Sequence, residues 1–463
     1  MTGTSGGPGA WPGEWVRARL GVRPVGDGLA GLVGLAVRRN PRRAHLLVSS
    51  VLGKHVPTDP RLVHGSGLLL GELVRRRLQG GTGESLDEPY RALLDDALAG
   101  AAAALRDRMR EPKAPVDALV LGYAETATAL GHSVADALGG AYYLHSTRRP
   151  VPGHDAYGGF EEEHSHATSH LLLPADPRAL DRDVPLVLVD DELSTGRTVL
   201  NTIRELHAAR PRRHYVVAAL VDLRGADDRD RMRGLAAELD ARVEAVALAT
   251  GRVELPEGVL EAGQALVAEV EAADAARTLE TAPHDPYPVT RVDLGWPEGL
   301  PEGGRHGFRP EHRTRLEKDL PTMADRLAAA LPRDTGRVLV LGFEELMYAP
   351  LRLAEALADA LPGTDVRYST TTRSPVLAVD DPGYAIRTRL SFPAHDDPAD
   401  GPGERYAYNV DPGADPARAF DAIVLVVDAE GDTPALAGGL LARLRGLAPV
   451  ALAALPERTK EHA

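Results

Sequence analysis

Short apolar runs alternating with amphipathic stretches set the pattern of the chain. Ala118–Leu121, Leu186–Val189, Tyr215–Val221 and Val243–Ala249 are mostly or wholly apolar. That is the pattern of strands covered on both faces of a parallel sheet. Helical spacing follows the first two, over Leu130–Leu138 and Thr198–Ala208. Strands alternating with helices predict a doubly wound α/β sheet. An acidic, Ala-rich helical stretch, Val259–Ala276, then gives way to TAPHDPYPVT and GWPEGLPEGG. Pro and Gly at that density break regular structure.

The second half repeats the first. ALVLGYAETATALGHSVADAL at 118–138 aligns with VLVLGFEELMYAPLRLAEAL at 338–357, and YLHSTRRPV at 143–151 with RYSTTTRSPV at 367–376. PLVLVDDELSTGRTVLNTIREL at 185–206 aligns with AIVLVVDAEGDTPALAGGLLARL at 422–444. Chance apolar runs can mimic one strand, but three correspondences in one order, including a loop, indicate an internal duplication. The expected organisation is a disordered Gly/Ser/Pro lead-in at 1–14, a first domain at 15–255, a helix and Pro/Gly-rich linker at 256–305, and a second domain at 306–463.

Composition narrows the chemistry. The chain has 463 residues, 43% hydrophobic and 26% charged, as in soluble globular proteins, with only 4% aromatics. Its net charge of −14 argues against extended nucleic-acid or anionic-membrane contacts, which need a basic face. Arg38, Arg39, Arg42 and Arg43 form a local exception suited to a small polyanion. The absence of cysteine removes thiol catalysis and thiolate metal sites. No signal-peptide pattern and no membrane-length apolar run stand in the sequence, so a cytoplasmic location is expected.

Candidate chemistry concentrates in VLVDDELSTGRT at 187–198. Asp190 and Asp191 end an apolar run, which places two carboxylates at the carboxyl edge of a sheet, where open α/β folds bind ligands. Sugar hydroxyls can donate to them, and a nearby Mg²⁺ would offset their mutual repulsion. Ser194, Thr195, Gly196, Arg197 and Thr198 then open a helix whose free N–H groups attract a phosphate. Carboxylates for hydroxyls followed by donors for a phosphate monoester describe ribose 5-phosphate. A solvated Asp pair before an ordinary capped helix is the plain alternative. Neither a Walker-type P-loop nor a Gly-x-Gly-x-x-Gly turn is present.

The same peptide resembles the signature for phosphoribosyl pyrophosphate (PRPP) of type I phosphoribosyltransferases. With Thr372, Arg373, Ser374 and Pro375 downstream, the chain is similar to a bacterial subfamily of tellurite-resistance (Ter) stress gene clusters. Its members join an orotate-phosphoribosyltransferase-like domain to a TRSP domain named after those four residues. The resemblance implies two related, mainly parallel α/β domains of this kind, the second degenerate. It implies transfer of a 5-phosphoribosyl group to a nitrogen of a base-like acceptor, with release of pyrophosphate. Val189, Asp190, Asp191, Glu192 and Ser194–Thr198 would bind PRPP, with Asp190 and Asp191 catalytic and Mg²⁺ held mainly by PRPP rather than by the protein. The turn at 121–128, with Gly122, Tyr123 and Thr126, would take pyrophosphate, although Glu125 there opposes an anion.

The long loop at 145–170 would act as a hood, with Arg148 and Arg149 against pyrophosphate. Its cluster of Glu161–Glu163, His164, His166 and His170 reads as a ligand contact, a transition-metal site or exposed surface. Lys54 and His55 would stand near the acceptor. Type I enzymes often dimerise, so a homodimer is one expected assembly. In the second copy Asp428 survives, but Ala429, Asp432 and Pro434 replace the acid and the phosphate loop. That copy is expected not to bind PRPP, and to act as support, as a regulatory module or as a cap supplying arginines from Arg373, Arg387 and Arg389. A PRPP sensor without catalysis, or an interaction scaffold, are the alternative readings of the whole.

Overall fold

Continuous burial on both faces turns the apolar runs into the central strands of two parallel sheets. The computed structural model describes residues 10–40, 43–80, 100–149, 151, 156–161, 169–276, 285–395 and 403–456. The first half contains β1 (Arg23–Asp27), β2 (Val33–Val37), β3 (His45–Ser49), β4 (Leu119–Gly122), β5 (Tyr142–His145), β6 (Gly158–Glu161), β7 (Ser169–Leu172), β8 (Leu186–Leu193), β9 (His214–Asp222) and β10 (Arg242–Glu254). Six of these form a sheet in the order β1-β10-β9-β8-β4-β5, parallel except for the β1–β10 pair. Hairpins β2–β3 and β6–β7 stand apart from it.

The second half contains β11 (Val289–Arg291), β12 (Arg337–Gly342), β13 (Asp365–Thr370), β14 (Arg389–Pro393), β15 (Glu404–Tyr408), β16 (Ala422–Asp428) and β17 (Val450–Leu455). Its five-stranded sheet, β11-β17-β16-β12-β13, is parallel throughout. The run β17-β16-β12-β13 repeats β9-β8-β4-β5, so the duplication read from sequence is a duplication of topology. β8 runs past its apolar residues through Asp190, Asp191 and Glu192, because Asp190 pairs with Ala219 and Glu192 with Val221. Backbone pairing there outweighs the poor strand preference of acidic side chains.

The repeat begins earlier than its apolar runs show. The helix Pro60–Gln79 and the helix Pro310–Ala330 both carry proline in their first turn, where a missing N–H costs nothing. The segments leading into them correspond, 51–60 with 301–310. Each segment pairs with the other half. Thr58 and Tyr368 exchange both backbone hydrogen bonds (3.0 and 2.8 Å), and Phe308 and Tyr143 do the same (2.7 and 2.9 Å). Reciprocal contacts of this kind characterise a twofold-symmetric dimer, here within one chain. Gly304 and Phe308, where the expected linker meets the expected second domain, thus lie along β5 at the edge of the first sheet. The lead-in also has structure at its end: Trp11 Nε1 donates to the carbonyls of Ala30 and Val33 at 3.0 Å. Residues 1–9 and 277–284 lie outside the described residues.

Helices Thr128–Leu138 and Tyr348–Ala360, equivalent in the two halves, meet across the junction. His132 stacks flat on Tyr348, with ring centres 3.6 Å apart. Leu68, Val134, Leu327, Leu351 and Ala354 share one apolar core that runs through both halves. Among the described residues no helix is long and apolar enough to cross a membrane.

Candidate functional site

β8 delivers its acidic end to the carboxyl edge of the first sheet, and the chain turns at Ser194–Gly196 into the helix Arg197–Ala209. Gly196 sits at the cap with φ of +73°, a left-handed conformation that glycine adopts without a Cβ penalty. The first-turn N–H groups of this helix have no intrahelical acceptors, and that of Arg197 donates to Thr195 Oγ1 at 3.4 Å. The Asp191 amide donates to Asp190 Oδ1 at 2.9 Å, which fixes the first carboxylate beside the second. Burial raises the Asp191 carboxyl above its ordinary range.

These residues form one wall of a cavity of about 450 Å³. Of the residues singled out from sequence, Lys54, His55, Tyr123, Thr126, Arg148, Asp190, Asp191, Glu192, Ser194, Thr195, Gly196, Arg197 and Thr198 all line it. Hairpin β2–β3 and its loop add Arg38, Asn40 and Arg43, and the second half adds Thr372, Arg373 and Ser374. Opposite the acids, Lys54 Nζ lies 2.8 Å from Thr126 Oγ1 and 3.1 Å from Glu125 Oε1. Arg373 Nε approaches the other oxygen of Glu125 at 3.3 Å. Burial alone would raise the Glu125 carboxyl, but Lys54 and Arg373 outweigh it and hold the group near 2. Glu125, the one feature of this turn that opposes an anion, is thus neutralised twice over. Arg43 pairs with Glu192 at 2.7 Å.

His55 has φ of +70° and a buried ring. Burial, with Lys54 alongside, pushes its pKa down to about 3, so the imidazole is neutral. Its carbonyl accepts from Asn409 Nδ2 at 2.7 Å, which ties this loop to the second half.

Burial also lowers His45 and His145 to about 4, and His132 well below its usual value. All four imidazoles have depressed values in the folded chain, so unfolding takes up protons below the ordinary value of about 6.5. Stability from these groups is complete above that pH and is lost as pH falls toward 4. The melting temperature is therefore expected to fall steadily from pH 7 to pH 5. A melting temperature flat over that window would contradict neutral burial of these rings.

Several expected residues lie elsewhere. Val189 is a core side chain, and only its carbonyl serves the turn, accepting from the Tyr123 amide at 3.1 Å. Gly122 is packed under Tyr143, whose hydroxyl would meet any Cβ added there. Arg149 does not line the cavity, because the chain bends at Arg148 and Arg149, where the Arg149 amide turns back to Thr147 Oγ1 at 3.1 Å. Its guanidinium donates to Glu344 at 2.9 Å and covers the ring of Phe343. His164 and His166 lie outside the described residues. His170 is buried and shares a hydrogen bond of 2.9 Å with Ser146 Oγ. In the second half Arg387 pairs with Asp380, and neither it nor Arg389 lines the cavity.

The equivalent place in the second half is filled by protein. Arg305, in the position of His55, lies 3.6 Å from Glu345 and 3.7 Å from Asp428. Asp428 accepts from the Gly431 amide at 2.9 Å, and Asp432 pairs with Arg291 at 2.7 and 2.9 Å. Sequence reasoning missed Arg305 and Glu344, whose ion pairs join residues far apart in the sequence.

Residues 32–252 match a family described as phosphoribosyl transferase, and residues 302–444 a family described as the TRSP domain C-terminal to it. Similar solved structures include adenine phosphoribosyltransferase from Trypanosoma brucei, in complex with AMP, pyrophosphate and ribose-5-phosphate. It is 18% identical over 30% of this chain and 60% of its own, with a TM-score of 0.23. The enzyme from Rhodothermus marinus is 16% identical over 47% of this chain and 95% of its own, with a TM-score of 0.27. That from Saccharomyces cerevisiae is 16% identical over 48% and 96%, with a TM-score of 0.22. No curated protein matches the chain.

Proposed function

We propose, for a chain that carries a phosphoribosyltransferase domain followed by a TRSP domain, that it transfers the 5-phosphoribosyl group of PRPP to a ring nitrogen of a base-like acceptor. The observation that carries this reading is the two-walled cavity. Paired carboxylates and a helix N-terminus line, with Lys54, Arg148 and Arg373, one cavity of about 450 Å³. The first wall suits a sugar and its 5-phosphate, and the second suits pyrophosphate.

In the reaction the bond from the anomeric carbon to pyrophosphate breaks, and pyrophosphate leaves with the electron pair. A bond from the acceptor nitrogen forms at the same carbon, and the nitrogen's proton passes to solvent. Asp190 and Asp191 accept hydrogen bonds from the ribose hydroxyls and stabilise positive charge as the sugar approaches an oxocarbenium state, as carboxylates do in glycoside chemistry. Amides and hydroxyls of Thr195–Thr198 hold the 5-phosphate and fix the orientation of attack. Lys54 and Arg148 stabilise the charge that builds on the departing pyrophosphate. Asp190 and Asp191 offer hard carboxylate oxygens that would help hold a magnesium ion brought with PRPP, and such an ion would ease the departure of the leaving group. The neutral His55 faces the acceptor as a hydrogen-bonding group rather than a charge. The likeness to Ter-cluster proteins supports a product that is a nucleotide or nucleoside-like metabolite of a stress response.

Phosphorus NMR of the full chain with PRPP, Mg²⁺ and a panel of purines, pyrimidines and pyridine carboxylates tests the reading. Free pyrophosphate is expected to appear with one class of acceptor. Binding of PRPP with no pyrophosphate from any base would instead make the chain a PRPP sensor, and failure to bind PRPP would remove the reading altogether.

A further inference from the structure

The cavity wall contributed by the second domain is the tetrapeptide from which that domain takes its name. Thr372, Arg373 and Ser374 line it. The loop that carries them repeats the first domain's own loop contact by contact. His145 pairs with Gly122 at the end of β4 as Thr370 pairs with Gly342 at the end of β12. Thr147 accepts from the amide two residues on at 3.1 Å, and Thr372 does so at 3.2 Å. Arg148 and Arg373 are therefore equivalent positions of the duplicated loop.

In a symmetric arrangement each would serve one site. Here both line the same cavity, Arg148 from the first domain and Arg373 from the second, while the mirror position is filled by Arg305 between Glu345 and Asp428. Arg373 crosses the domain junction to reach Glu125, in the turn whose Glu125 and Thr126 also contact Lys54. Its Nε donates to Glu344 at 3.0 Å, and that bond anchors the side chain from its own domain.

We propose that Arg373 is a pyrophosphate-binding residue of the first domain's site, so that the TRSP domain completes that site from within the same chain. This rests on the function proposed above. A guanidinium has five donors on a rigid fork, so it can keep an anchoring carboxylate on one edge and meet phosphoryl oxygens with another. The cations on this wall then come from three separate places: Lys54 from the loop before the first long helix, Arg148 from the hood loop, and Arg373 from the second domain.

The test compares the full chain with its Arg373→Met and Arg373→Lys variants by calorimetric titration with PRPP, with pyrophosphate and with ribose 5-phosphate, each with Mg²⁺. Arg387→Met, whose side chain pairs with Asp380 and Asp415 and does not line the cavity, serves as the control. R373M is expected to weaken PRPP and pyrophosphate roughly 10- to 100-fold, the range for a charge-assisted contact to phosphate. R373K is expected to recover part of that loss, and ribose 5-phosphate, which lacks the leaving group, to bind all the proteins alike. Equal PRPP affinity in R373M and parent overturns the assignment while leaving the phosphoribosyltransferase reading intact. Equal weakening of ribose 5-phosphate makes Arg373 merely structural and overturns it too. Failure of the parent chain to bind PRPP overturns both.

Discussion

Replacing Asp190 and Asp191 together with asparagine is expected to slow pyrophosphate release by about three orders of magnitude or more. Loss of one well-placed electrostatic partner in a transition state commonly costs about 10²–10³-fold, and here two are removed. In the proposed reaction, asparagine keeps the shape and one acceptor oxygen but not the charge that would oppose the developing positive centre. It also brings an NH₂ group to a place where sugar hydroxyls need acceptors. The fold should not suffer. The two carboxylates repel one another, and burial already disfavours the charged form of Asp191. The double variant is therefore expected to melt at or above the parent temperature while losing turnover. Activity within a few-fold of the parent would remove both aspartates from the mechanism.

The largest stability effect is expected at Glu344. This carboxylate is fully buried and accepts from Arg149 at 2.9 Å, Arg373 at 3.0 Å and Arg405 at 2.6 Å. Glu344→Ala leaves three guanidinium groups in a dry junction without their shared counter-charge. Breaking a buried ion pair from one side costs about 3–5 kcal/mol, a large part of a typical folding free energy. Urea unfolding is expected to show that loss, with Glu344→Gln intermediate because it keeps the shape and one acceptor. A loss under about 1 kcal/mol would mean that water reaches the arginines and that the junction is looser than described.

What sequence revealed and what it hid follow from how each feature is encoded. The central strands were legible because burial on both faces leaves nothing but apolar residues in a row, as in Leu186–Val189. The acidic strand end and the helix N-terminus beside it were legible because their donors and acceptors are contiguous, from Asp190 to Thr198. Lys54, Arg148 and Arg373 were each singled out from sequence, but their meeting beside Glu125 was not legible, because it comes about only through folding. Arg148 and Arg149 look alike in sequence, yet one faces the cavity and the other the second domain. Residues 301–305 read as linker because of Gly303 and Gly304. Gly304 is small for a packing reason: a Cβ there would run into the ring of Tyr143. The kinship of 301–310 with 51–60 lies in backbone pairing, which a comparison of side chains does not detect.

Arg305 stands where the first half has His55, and that difference has an evolutionary consequence. In an assembly of two identical subunits every substitution appears twice, so a residue that plugs one pocket plugs both. Once two copies share a single polypeptide, each can drift alone. One can surrender its own pocket and specialise in serving its neighbour.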